Sequence, residues 1–280
     1  MLASMAIGTT KNGVAYDSQV LDRAERRFWR DVWKSVPADV AQERGIGVRD
    51  FGPIQASIVA ALPEVGMLNM LLGAPEASRE QLEQAAAWAD EHGVAPYVPL
   101  TPGLPGSPAA EEWLRGRGYE RAYAWMKFVR GPHPPRFKAP KDVEVVELSA
   151  PDQEPFGAIA AAGFGLPIWG AEFFAHLPGR DGWRCYVAKV DGEAQGCGAM
   201  LIDDGVAEFG IAATLEGARG RGCQTALLHR RIGDAAEAGC HTLFVETGER
   251  VPDRPSASYR NILRAGFEEA YLRPNWRRPR

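Results

Sequence analysis

Between a predicted strand and a predicted helix lies a basic, glycine-rich run, Arg219-Gly220-Arg221-Gly222-Cys223-Gln224. A glycine loop that opens a helix directs free backbone N–H groups, and the positive end of the helix dipole, at whatever lies above it. Gly220 and Gly222 allow a close backbone approach, while Arg219 and Arg221 supply charge-assisted donors for phosphate oxygens. The run therefore predicts an anion site.

Two common phosphate-binding loops do not fit this run. It lacks the Lys-Ser/Thr pair of a nucleoside-triphosphate loop. The strand before it belongs to predicted hairpins, whereas a dinucleotide-binding loop follows a parallel strand. The anion must be recognised in another structural context.

The segments around the loop predict a domain that mixes strands and helices. A strand is followed by two short helices, a three-strand antiparallel meander, a helix, a strand, a helix and a last strand. The meander is inferred from Asp191-Gly192 and Asp204-Gly205, because Asp-Gly pairs favour the positive φ angles of tight hairpins. The predicted ranges are 143–148, 151–164, 168–177, 183–190, 195–202, 206–214, 224–238, 242–245, 256–264 and 267–272.

This order and two motifs resemble the GNAT superfamily of N-acetyltransferases. Residues 219–224 are similar to the family's pyrophosphate motif, Q/R-x-x-G-x-G/A, and residues 258–267 are similar to its later helix that ends in Gly-Phe. The resemblance covers about residues 143–276. It implies acetyl-coenzyme A as cosubstrate and direct acyl transfer to a primary amine of a small molecule or peptide, without a metal. The coenzyme-binding residues that it implies are Ala212, Ala213, Thr214, Arg219, Gly220, Arg221, Gly222, Cys223, Gln224, Thr225, Ser258 and Asn261.

Two positions depart from the family pattern. Gln224 replaces the final Gly or Ala of the motif, which changes how closely the backbone approaches phosphate. Ile262 replaces the tyrosine that many members use to protonate the departing thiolate. Tyr259, one helical turn away, is the predicted substitute acid, and its alternative role is core packing.

The predicted general base is Glu208, on the strand that leads into the loop. An alkyl amine with a pKa near 10 must lose a proton before it attacks a thioester, and a carboxylate acting through water can accept that proton. The alternative is that Glu208 lies on a solvated strand face. Glu246, at the end of the next strand, is a second candidate base.

The first half of the chain contains segments that are similar in sequence to segments of the second half. Residues 91–100 and 237–246 each contain a helix stop at glycine followed by a strand, and residues 117–123 match 265–271. These matches predict an internal duplication, although helix-glycine-strand punctuation also recurs in unrelated α/β proteins. The counterpart of the anion loop, residues 72–77, has no basic residue. The first copy is therefore expected to have lost its phosphate site.

The predicted fold class is α/β (α+β), with two tandem GNAT-like domains, each a mixed, mostly antiparallel twisted sheet flanked by helices. Residues 1–130 are expected to form the degenerate domain and residues 142–280 the catalytic domain. Prolines in residues 131–141 predict an extended linker, whose alternative is a long surface loop within one domain. Residues 17–33 predict an amphipathic helix with Leu21, Ala24, Phe28 and Val32 on its core face.

The composition limits the kinds of molecule that the protein is expected to bind. The formal net charge of -4, spread over both signs, gives no reason to expect nucleic acid or anionic membrane. No apolar run is long enough to cross a bilayer, so the expected location is the cytoplasm, as a monomer or homodimer. The four cysteines do not pair as C-x-x-C, and neither a disulfide framework nor a zinc site is predicted. Cys223, near a helix N-terminus, is expected to have a lowered thiol pKa.

Two other functions remain open from the sequence. The absence of tyrosine at Ile262 also fits a non-catalytic acyl-coenzyme A sensor or scaffold. A structural α/β protein whose loop binds incidental anions is the third possibility. The presence of both a strand glutamate and a coenzyme motif favours the enzyme.

Overall fold

The computed structural model describes residues 7–135, 137–151, 155–252 and 256–279. The first half contains β1 (Ile7–Thr9), β2 (Ala15–Asp17), α1 (Ser18–Ser35), α2 (Ala38–Arg44), β3 (Ile46–Phe51), β4 (Ile54–Val59), β5 (Met70–Leu72), α3 (Arg79–Glu91), β6 (Val98–Pro99), α4 (Ser107–Gly116) and β7 (Glu120–Arg130). The second contains β8 (Glu144–Leu148), α5 (Phe156–Gly163), β9 (Trp183–Val190), β10 (Glu193–Asp203), β11 (Val206–Thr214), α6 (Cys223–Glu237), β12 (Thr242–Gly248), α7 (Ala257–Arg264) and β13 (Glu268–Arg277).

The second half follows the predicted element order. Strands β9 and β11 have the predicted bounds, and the two Asp-Gly turns between the meander strands have positive φ at both residues. This is the geometry that a two-residue type I′ hairpin needs. The predicted second helix, 168–177, is instead a 3-10 segment, Ile168–Phe173. Pro167 cannot continue a helix from the residues before it, and Gly170 weakens one after it.

One eight-stranded sheet joins the two halves, in the order β6-β13-β7-β12-β11-β10-β9-β8. Strands β11 and β12 are parallel, and the other neighbours in this sheet are antiparallel. Strand β7 of the first half lies between β12 and β13 of the second, while β13 pairs with β6 of the first. Each half therefore places its last strand beside a strand of the other half.

The first half repeats the architecture of the second. The series β3-β4-β5-α3-β6-α4-β7 matches β9-β10-β11-α6-β12-α7-β13 in order, and a parallel bridge between Met70 and Tyr97 links β5 to β6 as β11 is linked to β12. Gly93 and Gly239 follow equivalent helices with positive φ, as do Gly118 and Gly266. This correspondence supports the duplication. Residues 131–141 lie between the two repeats in the sequence, but the repeats share the eight-stranded sheet.

Helices cover both faces of the large sheet. Helix α1 begins at Asp17, whose carboxylate accepts hydrogen bonds from Gln19 and Val20. The apolar side of α1 packs with α5 on one face, and α6 and α7 pack on the opposite face. The described linker residues, 131–135 and 137–140, are in neither helix nor strand. None of the helices in the described part of the chain has both the length and the apolar character needed to cross a bilayer.

Candidate acyl-coenzyme A site

The basic glycine loop lies between β11 and α6, as predicted. Gly220 and Gly222 have φ angles of +82° and +92°, which L residues with a Cβ rarely adopt. Gly222 is the N-cap of α6 and provides no side-chain cap for the first helical turn. The N–H groups of that turn are the ones an α-helix cannot satisfy internally, so they form a set of donors for an anion.

The equivalent helix of the first half is capped by its own side chains. Ser78 accepts a hydrogen bond from the N–H of Gln81, and the Gln81 side chain accepts one from the N–H of Ser78. This reciprocal capping box uses donors that the second half leaves uncapped. Glu76 and Glu80 add negative charge beside the same turn. The loss of the phosphate site from the first repeat stays a prediction, and a turn capped by its own side chains would account for it.

A cleft of about 580 Å³ opens above the glycine loop. Eleven of the twelve predicted coenzyme-binding residues line it, namely Ala212, Ala213, Thr214, Arg219, Gly220, Gly222, Cys223, Gln224, Thr225, Ser258 and Asn261. The twelfth, Arg221, forms an ion pair with Asp191 at 2.9 Å. Both side chains of this pair are largely exposed, so the pair contributes little and can exchange for a phosphate.

Helix α7 supplies a basic edge that sequence reasoning missed. Arg260 and Arg264 line the same cleft as Ala257 and Asn261. The spacing i, i+3, i+4, i+7 places all four on one helical face. That spacing was visible in the sequence, and it was the signal that could have identified the two arginines.

Gln224 connects the loop helix to α7. Its Nε2 donates to Ser258 Oγ at 2.9 Å, and its Oε1 accepts from Asn261 Nδ2 at 2.7 Å. The departure from Gly or Ala at this position therefore has a structural role, because the longer side chain ties together two walls of the cleft.

A bulge interrupts β11 where the strand reaches the cleft. The β10–β11 register shifts between Cys197 and Ala199, and Ile211 has a φ of +45°. A β-branched residue in this region is a genuine backbone outlier, and such strain concentrates at functional sites. The parallel pairing of β11 with β12 extends only from Val206 to Phe209, so the two strands part at the bulge.

A second cavity, of about 320 Å³, lies where the strands part. It shares Ala212, Gln224 and Ser258 with the first cleft, so the two spaces meet at these residues. Glu208, on β11, lines the second cavity. Its side chain is buried, with the residue only 6% exposed, which excludes the alternative of a solvated strand face.

Glu208 is a carboxyl group without a dedicated partner. Its Oε2 atom is buried and accepts no hydrogen bond from the described residues. Burial raises the pKa of Glu208 well above its usual range; Lys127 opposes this shift, and the Glu25 and Glu246 carboxylates reinforce it. A glutamate with a raised pKa is better suited to accept a proton near neutral pH.

A buried ionic network lies beside Glu208 and was not foreseen. Lys127 Nζ contacts Glu25 Oε2 at 2.9 Å and Glu246 Oε2 at 2.7 Å, and Arg273 pairs with the same two carboxylates. The two cations and two carboxylates thus neutralise each other and leave Glu208 unpaired. The sequence signal was Lys127 itself, a lone charge within the strand segment 125–129.

Part of the sequence matches a known protein family. Residues 153–256 match the model of the acetyltransferase (GNAT) family. This segment is a GNAT acetyltransferase domain. None of the curated proteins matches the chain.

Solved structures resemble the chain over most of its length. A GCN5-related N-acetyltransferase from Kribbella flavida has a TM-score of 0.60 at 18% identity, covering 86% of this chain and 93% of its own. One from Sphaerobacter thermophilus has a TM-score of 0.55 at 15% identity, covering 81% and 78%. A tandem GNAT protein from the clavulanic acid biosynthesis pathway has a TM-score of 0.54 at 16% identity, covering 84% and 78%. These likenesses establish the tandem GNAT fold.

Three other predicted residues, Tyr259, Glu246 and Cys223, are placed differently from Glu208. Tyr259 is buried, and its hydroxyl donates to Glu269 Oε1 at 2.5 Å, on neither cavity lining. Burial and the Glu269 hydrogen bond raise the pKa of Tyr259 to about 12. Glu246 does line the second cavity, but the ionic network holds it. Burial raises the pKa of the Cys223 thiol, so the expected lowering was wrong: desolvation penalises the thiolate.

Proposed function

We propose that the GNAT domain transfers an acetyl or related acyl group from acyl-coenzyme A directly to a primary amine. The observation that supports this most is the junction of two cavities, one above an uncapped helix N-terminus and the other lined by the unpartnered Glu208. An anion-binding cleft suits the coenzyme diphosphate, and a buried base suits the amine. The coenzyme and the amine would meet near Ala212.

The proposed transfer is a single displacement. Glu208 takes a proton from the ammonium form of the acceptor, directly or through water. The amine nitrogen then attacks the thioester carbon, a C–N bond forms, and the C–S bond breaks with its electron pair leaving on sulfur. A backbone N–H near Ala213 stabilises the oxyanion between these events. The attacking nitrogen gives its second proton to solvent as the amide forms, and the coenzyme thiolate takes up a proton from solvent and leaves as a thiol. No covalent acyl-enzyme is needed.

The general acid is not assigned to Tyr259. Its hydroxyl is committed to Glu269, and burial makes its proton harder to release. A thiolate leaving group also needs less help than an amine would, because a thiol with a pKa of about 8.5 is a much stronger acid than an alkylammonium ion. The transfer can therefore proceed with the thiolate protonated by solvent.

Coenzyme binding should depend on the backbone at Gly222. Acetyl-coenzyme A at a hundredfold excess over its Kd is expected to stabilise the native protein by about 2.7 kcal/mol. The Gly222→Ala variant should lose most of this stabilisation, because the residue has a positive φ and its Cβ would lie 2.8 Å from Pro140 Cγ. Differential scanning fluorimetry against coenzyme concentration measures both effects.

A matched variant separates binding from backbone strain. Gly239→Ala also introduces a Cβ at positive φ, but at the end of α6 farthest from the loop and with open space around it. Both variants should be destabilised without ligand, whereas only Gly222→Ala should lose the response to acetyl-coenzyme A. An equal response in both variants, or none in the native protein, contradicts the proposed coenzyme site. Binding without thiol release would instead indicate the sensor function.

A further inference from the structure

The second cavity is an apolar chamber built by both repeats. Its aromatic and sulfur-bearing side chains are Phe28, Trp29, Met67, Met70, Trp125, Phe164 and Phe209. Five of these seven residues precede the linker, and Phe164 and Phe209 belong to the GNAT domain. The first half thus provides most of the aromatic and sulfur-bearing side chains of a chamber whose other lining residues come from the second half.

The polar groups of the chamber are few and specific. Glu208 and Glu246 are its two carboxylates, and Arg231 and Arg273 its two guanidinium groups. Arg273 is paired with Glu25 and Glu246, and Arg231 donates to the carbonyl oxygens of Ala199 and Leu227. Among these four side chains, Glu208 Oε2 and Arg273 Nε are buried without a hydrogen-bond partner. The Arg273 guanidinium already has two carboxylate partners, whereas Glu208 Oε2 has none among the described residues. The group that most needs a ligand is therefore Glu208, an acceptor of N–H donors.

The size of the chamber limits the ligand. At about 320 Å³ it is at the lower end of the range of about 300–1,000 Å³ that is typical of small-molecule sites. Aromatic faces and thioethers attract organic cations and apolar bodies, while they do not satisfy hydroxyl or additional amino groups. Sugars and polyamines would leave polar groups unpaired in this chamber.

We infer that the acceptor is a primary amine carried on one compact aromatic or apolar body, with its nitrogen at Glu208 and its body against the aromatic and thioether side chains, most of which the first half supplies. This inference rests on the proposed function and specifies its substrate class. The same chamber could otherwise hold the acyl chain of a longer coenzyme thioester. The unpaired carboxyl group favours the amine, because an acyl chain would leave it without a hydrogen bond and would disfavour its charged form by excluding water.

The inference predicts a preference that a cavity-filling variant should remove. Gly248 lines the chamber, and a Cβ added to it would meet nothing within 4 Å. It is the cross-strand partner of Trp125, so a side chain at position 248 would lie on the same face as Trp125, which also lines the chamber. Gly248→Leu should therefore occupy the space of the acceptor body without displacing other groups. Gly233→Leu in α6 is the matched control, because its surroundings are equally open and it lies on neither cavity.

The test measures thiol release from acetyl-coenzyme A with 2-phenylethylamine, methylamine, spermidine and glucosamine as acceptors. In the native protein kcat/KM should be highest for 2-phenylethylamine. In Gly248→Leu the ratio of kcat/KM for 2-phenylethylamine to that for methylamine should fall about 10- to 200-fold, the range that a single methylene controls in a hydrophobic pocket. Gly233→Leu should keep the native ratio.

Each other outcome has a distinct meaning. Thiol release that is fastest with spermidine or glucosamine, and insensitive to Gly248→Leu, overturns the acceptor class and leaves the proposed function intact. A preference for octanoyl- over acetyl-coenzyme A that Gly248→Leu abolishes, with amine preference unchanged, assigns the chamber to the acyl chain and also overturns it. Absence of thiol release with every amine, together with absence of stabilisation by acetyl-coenzyme A, refutes the proposed function itself.

Discussion

Replacing Glu208 with glutamine is expected to lower kcat/KM for amine acylation by about 10²- to 10⁴-fold, the usual contribution of a positioned general base. Glutamine keeps the size of the side chain but cannot accept a proton from the ammonium group. In the native protein activity should rise with pH through the raised pKa of Glu208, since only its ionised form is a base. The variant should lose this dependence and retain only that of the amine itself. Initial rates of thiol release across a pH series measure both effects.

Stability distinguishes loss of a base from loss of the fold. Burial raises the pKa of Glu208 in the native state above its unfolded value, so its contribution to stability is present at low pH and lost as pH rises through the native pKa. Glu208→Gln should therefore be no less stable than the native protein at neutral and alkaline pH. Glu237→Gln, at the end of α6, is a control that should keep full activity. Near-native activity of Glu208→Gln, with coenzyme binding intact, would assign the base to another group.

Replacing Glu25 with glutamine is expected to lower the free energy of unfolding by about 3–5 kcal/mol, because it leaves buried Lys127 and Arg273 with one carboxylate, Glu246, between them. Burial alone would raise the pKa of Glu25, but the ion pairs with Arg273 and Lys127 outweigh it and lower the pKa to about 2. Relative to the ordinary value of 4.5, this shift corresponds to a stabilisation on the order of 3 kcal/mol. Urea denaturation monitored by tryptophan fluorescence measures the loss.

The pH dependence of Glu25 has a definite sign. Its native pKa lies below the unfolded value, so its contribution is complete above about pH 4.5 and is lost as the pH falls toward 2. The difference between the native protein and Glu25→Gln should shrink over that interval. Asp50→Asn is the control. Asp50, on β3, is an exposed ion-pair partner of Arg30, which lies on α1 like Glu25, so this variant should change the free energy of unfolding by less than about 1 kcal/mol. The network joins Glu25 and Lys127 of the first half to Glu246 and Arg273 of the second. If both variants lose equally little unfolding free energy, the network does not stabilise the contact between the two halves.

Local chemistry made much of the second half predictable. The Asp191-Gly192 turn needs positive φ at two successive residues, and few residue pairs other than Asn-Gly and Asp-Gly accept that conformation. The basic glycine loop was predictable for the same reason, since Gly222 signals both a left-handed N-cap and a close backbone approach. The matching glycines at the ends of equivalent helices, Gly93 and Gly239, indicated the duplication before any strand pairing was known.

Predictions that depended on packing were less successful. Phe28 was expected to be core, and it is buried, but it also lines the second cavity. Tyr259 was predicted as the substitute acid with core packing as its alternative role; it is buried, and its hydroxyl reaches Glu269. The direction of a helix face is set by the elements that it packs against, and helical spacing alone does not specify that direction.

The amino-acid sequence alone determined the basic glycine loop, the hairpin turns, most of the element order of the second half and the likeness of the two repeats. Each of these depends on backbone conformations that neighbouring residues allow or forbid. Strand exchange, the Glu25–Lys127–Arg273–Glu246 network and the shared chamber were decided by contacts between residues far apart in the chain. No local pattern specifies them, because burial, unpaired charge and cavity shape exist only once β7 lies between β12 and β13.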